Sequence, residues 1–139
     1  MEKGILKGLA MNGAGAIHDL ELAMAGHTSE EVEEELAKGA FGMVRETHRT
    51  INRAIQAGGR DGLGIGQSIG RKIFEGRFKF KRLSLLSAGW RLGIPVTIHV
   101  AIGTDITHMG PYADGAAIGK GSLRDFHTFA SLVAKLDRG

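Results

Sequence analysis

The stretch "IPVTIHVAIG", residues 94–103, constrains the fold more than any other. Ile94, Val96, Ile98, Val100 and Ile102 alternate with Thr97, His99 and Ala101, the two-residue period of a strand. Only one other segment reads as a strand: "GILKGLAM", residues 4–11, carried by Ile5, Leu6, Leu9 and Met11. The chain between them has helical periodicity. Strands separated by helices imply a parallel sheet covered on both faces, so the expected class is α/β. Two strands make a small sheet. The first starts almost at Met1, and the last helix stops at Gly139 where another strand is expected. The expectation is therefore a single domain over 1–139 whose sheet is incomplete, cut from something longer.

The helices follow from apolar spacing. After a glycine turn, Ile17, Leu20, Ala23 and Met24 fall on one face, and Gly26 is a natural stop. "HTSEEVEEEL" restarts a helix with Thr28 as cap and Glu31 three positions on, its acidic first turn suiting the helix dipole. "FGMVRETHRTINRAIQAGG" gives a helix on Val44, Ile51 and Ile55, closed by Gly58 and Gly59. Another starts near Leu63 with Ile65, Ile69 and Ile73 on one stripe, and "RLSLLSAGWRLG" is a compact helix stopped by Gly93. A loop runs to Gly121, and "SLRDFHTFASLVAKLDRG" then forms a capped helix on Leu123, Phe126, Phe129, Val133 and Leu136.

Composition narrows the class. With 139 residues, 42% hydrophobic and 24% charged, the chain has the make-up of an ordinary globule. No apolar run reaches membrane-spanning length, and "MEKGILKG" lacks the apolar core of a signal peptide, so a cytoplasmic location is the default. The absence of cysteine excludes disulfides and thiolate metal sites. Much of the net charge of +3 lies in "RKIFEGRFKFKR", residues 71–82. Phe78 and Phe80 there are expected to point inward with the cations solvated, which is a surface turn and not a nucleic-acid footprint. The 22 glycines recur among apolar positions, a spacing that suits turns, helix ends and close packing.

In an open parallel sheet, ligands bind beyond the carboxyl ends of the strands. The first strand runs into "NGAGAIHD" (Asn12–Asp19) and the second into "GTDITHMGPYADG" (Gly103–Gly115). If those segments converge, His18, Asp19, Asp105, His108 and Asp114 share a crevice, with the amides of residues 13–16 open to an anion. The motifs themselves are weak. "GAGAIH" has His18 where the dinucleotide fingerprint needs its third glycine, "GLGIGQSIG" is one residue out of register, and "DGAAIGKGS" fails as a P-loop. Structural roles stand beside the functional ones: His99 as a hydrogen-bonded core histidine, Asp19 as a cap, His18 with Glu21 as a surface pair. Asp105 is equally a turn former, Asp125 completes a capping box begun by Ser122, and Trp90 belongs to the core or an interface. His99, Asp105 and His108 lack a metal-ligand spacing, so no metal is expected.

"MNGAGAIHDLELAMAG", "FGMVRET", "RLGIPVTIHVAIGTDI" and "GSLRDF", in this order, resemble deoxyhypusine synthase and its bacterial relatives over nearly the whole chain. The resemblance implies a Rossmann-like NAD-binding fold assembled as a homo-oligomer, a tetramer or dimer. It also implies NAD-dependent transfer of the aminobutyl group of spermidine to a lysine through an enzyme imine, some relatives using free amines instead. On this resemblance the nucleotide turn corresponds to Asn12, Gly13, Ala14 and Gly15, and an acidic nucleotide contact falls at His18. The family's aspartate-bearing "TDGSLGD" loop corresponds to the stretch around Asp105, its second aspartate falling near His108. Asp105 and His108 are then the catalytic candidates, with Asp105 also touching cofactor. The imine-forming lysine has no counterpart, since neither Lys120 nor Lys135 lies in the family's lysine motif. The reading is the central portion of a deoxyhypusine-synthase-like protein, inactive as this chain alone. A nucleotide- or polyamine-binding module without catalysis, and an oligomerising structural remnant, are the alternatives.

Overall fold

A computed structural model describes residues 1–28 and 41–136, with side chains described from residue 45 in the second span. The helix expected from Thr28 onward lies outside the described residues. The order is β1 (Leu9–Asn12), α1 (Gly13–Ala25), α2 (Phe41–Arg60), α3 (Ile65–Glu75), α4 (Leu85–Leu92), β2 (Val96–His99) and α5 (Gly115–Val133). Short 3-10 turns cover Lys81–Leu83 and Ile106–His108. β1 and β2 are parallel neighbours, with Leu9 opposite Val96 and Asn12 opposite His99. The molecule is thus mixed helix and sheet, with a two-stranded parallel sheet at its centre.

Ile65, Ile69 and Ile73 are buried together, as their spacing predicts, and pack with Leu20, Leu86, Ile98 and Ile118. Val96, Thr97 and Ile98 are all buried, so β2 is covered on both faces. β1 buries only one face, leaving Ala10 exposed. Close approach of α3 to β2 needs Gly66, because a side-chain carbon there would overlap the Val96 carbonyl. The near-fingerprint "GLGIGQSIG" therefore serves helix–strand packing. Gly26 and Gly93 end α1 and α4 in the left-handed region, at φ 85° and 64°, as expected of C-terminal caps.

Several boundaries differ from the sequence expectation. The strands are shorter, because Ile5 and Leu6 on one side and Ile102 on the other are solvent-exposed and gain nothing from pairing. β2 stops where the chain turns back, with the Thr104 and Asp105 N–H groups donating to the Ala101 carbonyl. α1 starts at Gly13 instead of Ile17, since the Asn12 side chain caps it by accepting the Gly15 N–H at 2.9 Å. Helix α2 continues past Gly58 and Gly59 to Arg60.

The largest correction concerns α5. Asp114 caps it by accepting the Ala116 and Ala117 N–H groups, so it begins at Gly115, well before Ser122. Asp125 consequently lies mid-helix, where it is not part of a capping box. It is buried, and its carboxylate accepts the N–H groups of Gly66 at 3.0 Å and Ile98 at 2.9 Å. This turns Ile118, Gly121 and Asp125 inward. The stripe expected in the core, Leu123, Phe126, Phe129 and Val133, faces outward instead, Phe126 being 57% exposed. Leu136 follows the helix and is exposed as well.

The basic stretch is a surface turn only from Gly76 onward, since residues 71–75 complete α3, and its cations are not all solvated: Arg71 pairs with Asp61 at 2.7 Å. Phe78 packs against the core and Phe80 lies against Gly26, while the Lys81 ammonium donates to the carbonyls of Phe74 and Gly76. Among the described residues, no helix is long and apolar enough to cross a membrane.

Candidate functional site

Parallel pairing brings the carboxyl ends of β1 and β2 to one end of the sheet, and the two segments leaving them meet there. Asp105 folds over Gly13: a side-chain carbon on Gly13 would lie 2.7 Å from the Asp105 carboxyl carbon, so only glycine admits this contact. The Asp105 Oδ2 also accepts the Ala101 N–H at 3.0 Å, and its carbonyl accepts the His108 N–H. The carboxylate is thereby fixed in orientation while the residue stays half-buried.

Residues 13–15 are the first turn of α1, not a loop ahead of it. Their capacity to hold an anion is partly used, since the Gly15 N–H is taken by Asn12 and a carboxylate lies against Gly13. The helix dipole favours that carboxylate, and a phosphate in the same place would meet like charge. Asn12 and Ala14 are both exposed.

The loop carrying Asp105 is fastened to α2. Asn52, 1% exposed, donates from Nδ2 to the carbonyls of Thr107 and His48, both at 2.9 Å. Gln56 Nε2 donates to the Tyr112 carbonyl at 2.8 Å. Three buried side-chain atoms nearby, Thr47 Oγ1, Asn52 Oδ1 and His108 Nδ1, have no hydrogen-bond partner among the described residues. Unpaired buried polar groups are costly, and they are commonly satisfied by water or ligand. His18, one turn into α1, pairs through Nδ1 with Glu21 Oε2 at 3.2 Å, and Glu21 is buried, so this is no surface pair. Burial pushes the His48 imidazole below its usual range, opposed by the negative charge of Glu21.

Asp105 and the Asn12–Gly15 segment are in contact, and His108 follows on the same loop. His18 sits deeper on α1. Asp19 and Asp114 leave the expected cluster. Asp19 is bonded to the start of α4 instead, accepting from Ser84 Oγ at 2.6 Å and from the N–H groups of Leu85 and Leu86. It is a cap, but of a distant helix instead of its own. Burial raises its carboxyl above the ordinary range, tempered by those three bonds. Asp114 caps α5. His99 shares a hydrogen bond with Thr97 and meets the Phe129 ring edge-on at 5.2 Å, in line with a structural role.

Asn52 and Gln56, which hold the loop after Asp105, lie outside the residues that the sequence singles out. Polar residues interleaved with the apolar stripe of Ile51 and Ile55 were the available sign. Among the described residues, no group of three His, Asp or Glu comes together as a metal site. A groove of about 170 Å³ lies at the opposite, amino end of β2, lined by Trp90, Leu86, Pro95 and neighbours without titratable side chains.

The site belongs to a protein of mixed helix and sheet that gathers polar side chains at the carboxyl ends of two parallel strands. The chain matches no family model, no curated protein and no solved structure.

Proposed function

We propose that this chain is the central part of a deoxyhypusine-synthase-like protein, in the lineage of NAD-dependent aminobutyl transferases, and that by itself it binds ligand without turnover. Contact between Asp105 and Gly13 at the shared end of β1 and β2 carries the reading, because it joins the two segments that the resemblance assigns to cofactor and amine. The parallel pair is then part of a Rossmann-like sheet.

A fixed, half-exposed carboxylate suits an ammonium group or a ribose hydroxyl and disfavours phosphate. Asp105 therefore takes the amine of a polyamine such as spermidine, or a ribose of NAD, and His108 orients the same end. Asn12, Gly13, Ala14 and Gly15 form the wall the cofactor approaches, and His18 flanks it. NAD, when bound, supplies the hydride acceptor; the chain's own residues position the donor. Lys120 and Lys135 are both exposed, and neither has the desolvation that activates an imine-forming lysine. The outward stripe Leu123, Phe126, Phe129 and Val133 supports the homo-oligomer of the same reading, a second copy covering it. That reading also puts the protein in the cytoplasm.

Calorimetric titration tests this directly. Spermidine and NAD should each bind saturably near one per chain, with no NADH absorbance when both are present. Asp105→Asn should weaken spermidine by about tenfold through loss of one charge-assisted bond. Silence for both ligands at millimolar concentration would leave the oligomerising remnant as the account of the chain.

A further inference from the structure

Arg45, Arg49 and Arg53 recur every four residues along α2, so their guanidiniums form one row on its exposed side. Two of them flank a single ring: the Arg49 and Arg53 guanidinium carbons lie 5.9 and 6.0 Å from the Tyr112 centroid. Among the described residues, none of the three is in an ion pair. Tyr112 is held in place by the Gln56 bond to its carbonyl, and half-buried against α2. A groove of about 340 Å³ is lined by Arg45, Glu46, Arg49 and Tyr112.

We propose that this row is a phosphate-binding subsite, taking the diphosphate of a nucleotide whose ribose lies toward Asp105. A guanidinium resting on an aromatic ring is restrained in orientation while its N–H edge stays open to a bidentate oxyanion. The positive end of α1, the usual place for a diphosphate, already faces the Asp105 carboxylate, so the negative groups of a dinucleotide need other cations. The loop that carries Asp105 at its start carries Tyr112 near its end, so one segment serves both subsites. Glu46 is the one carboxylate on the groove. It is adjacent in sequence to Arg45 and, among the described residues, makes no ion pair with it.

This subsite rests on the nucleotide reading above, and inorganic pyrophosphate separates the two. The full chain should bind pyrophosphate saturably, and more weakly as salt rises. Arg49→Ala combined with Arg53→Ala should weaken pyrophosphate and NAD by about tenfold or more, with spermidine affinity and helical circular dichroism unchanged. The double lysine variant, which keeps charge and loses the fork, should fall between. Pyrophosphate binding without NAD binding would keep the subsite and remove the cofactor. NAD binding undiminished in the double alanine variant, or no pyrophosphate binding by the unaltered chain, would overturn the subsite and leave the cofactor reading standing on its own titration.

Discussion

Two buried aspartates do the most at the scale of single residues, and each works on a partner far along the chain. Asp125 satisfies the backbone N–H groups of Gly66 and Ile98, fastening α5 to both α3 and β2. Removing the carboxylate strands both donors in the interior. Asp125→Ala should cost roughly 2–5 kcal/mol, measured by urea unfolding, on the penalty for unsatisfied buried groups. Asp125→Asn, which keeps one acceptor, should cost less.

The pH dependence has a definite sign. Burial raises the Asp19 and Asp125 carboxyls above 3.8; the Ser84 hydroxyl and two backbone bonds work in the other direction at Asp19, and backbone bonds with the charge of His99 do so at Asp125. A folded-state acid that holds its proton more tightly than the unfolded chain stabilises the fold below the unfolded pKa, and this contribution is lost as pH rises through the folded value. Melting temperature of the unaltered chain, relative to Asp125→Asn, should therefore decline as pH climbs above about 4. A relative rise over that range would contradict the assignment. Neither role was legible in the sequence, because an aspartate near a helix start reads as a local cap whether its partners are three residues away or many tens. Asp19 lies 65 positions from Ser84.

At the scale of elements, periodicity predicted which segments are helical better than it predicted which side they bury. The stripe of α3 is legible because its isoleucines fall on one face, and all three are buried. Helix α5 carries a wider apolar arc, and its spacing is the same whichever part is covered. Asp125 decides the matter by reaching the N–H groups of Gly66 and Ile98, which rotates Ile118 and Gly121 inward and leaves Phe126 and Val133 outside. A two-fold helix pair on that face would bury Phe126 against a second copy. Phe126→Glu with Val133→Glu should shift the chain to monomer in light scattering while changing unfolding free energy of the monomer by only about 0.5 kcal/mol, as exposed positions do. An unaltered chain that is monomeric at high concentration would remove the second copy from that face. Close packing at Gly66 predicts the opposite pattern: Gly66→Ala should destabilise by about 1–3 kcal/mol with no effect on association.

For the whole molecule, the parallel pairing of β1 with β2 is what turns two distant segments into one place. The sequence displayed both strands, both following segments and the rule that joins them, so the meeting of Asn12–Gly15 with Asp105 was foreseeable. The fastening of that loop to α2 by Asn52 and Gln56 was not, since side-chain bonds to carbonyls more than fifty residues away leave no local pattern. The same limit hid Tyr112 from the arginine row it completes.

Amide chemical shifts followed during a spermidine titration, with NAD as the second ligand, bear most directly on a shared site. The account predicts that the N–H signals of Gly13, Ala14 and Gly15 move together with those of Asp105 and His108, tracing one dissociation constant. Shifts confined to only one of those segments, or centred on the groove beside Trp90, would contradict it.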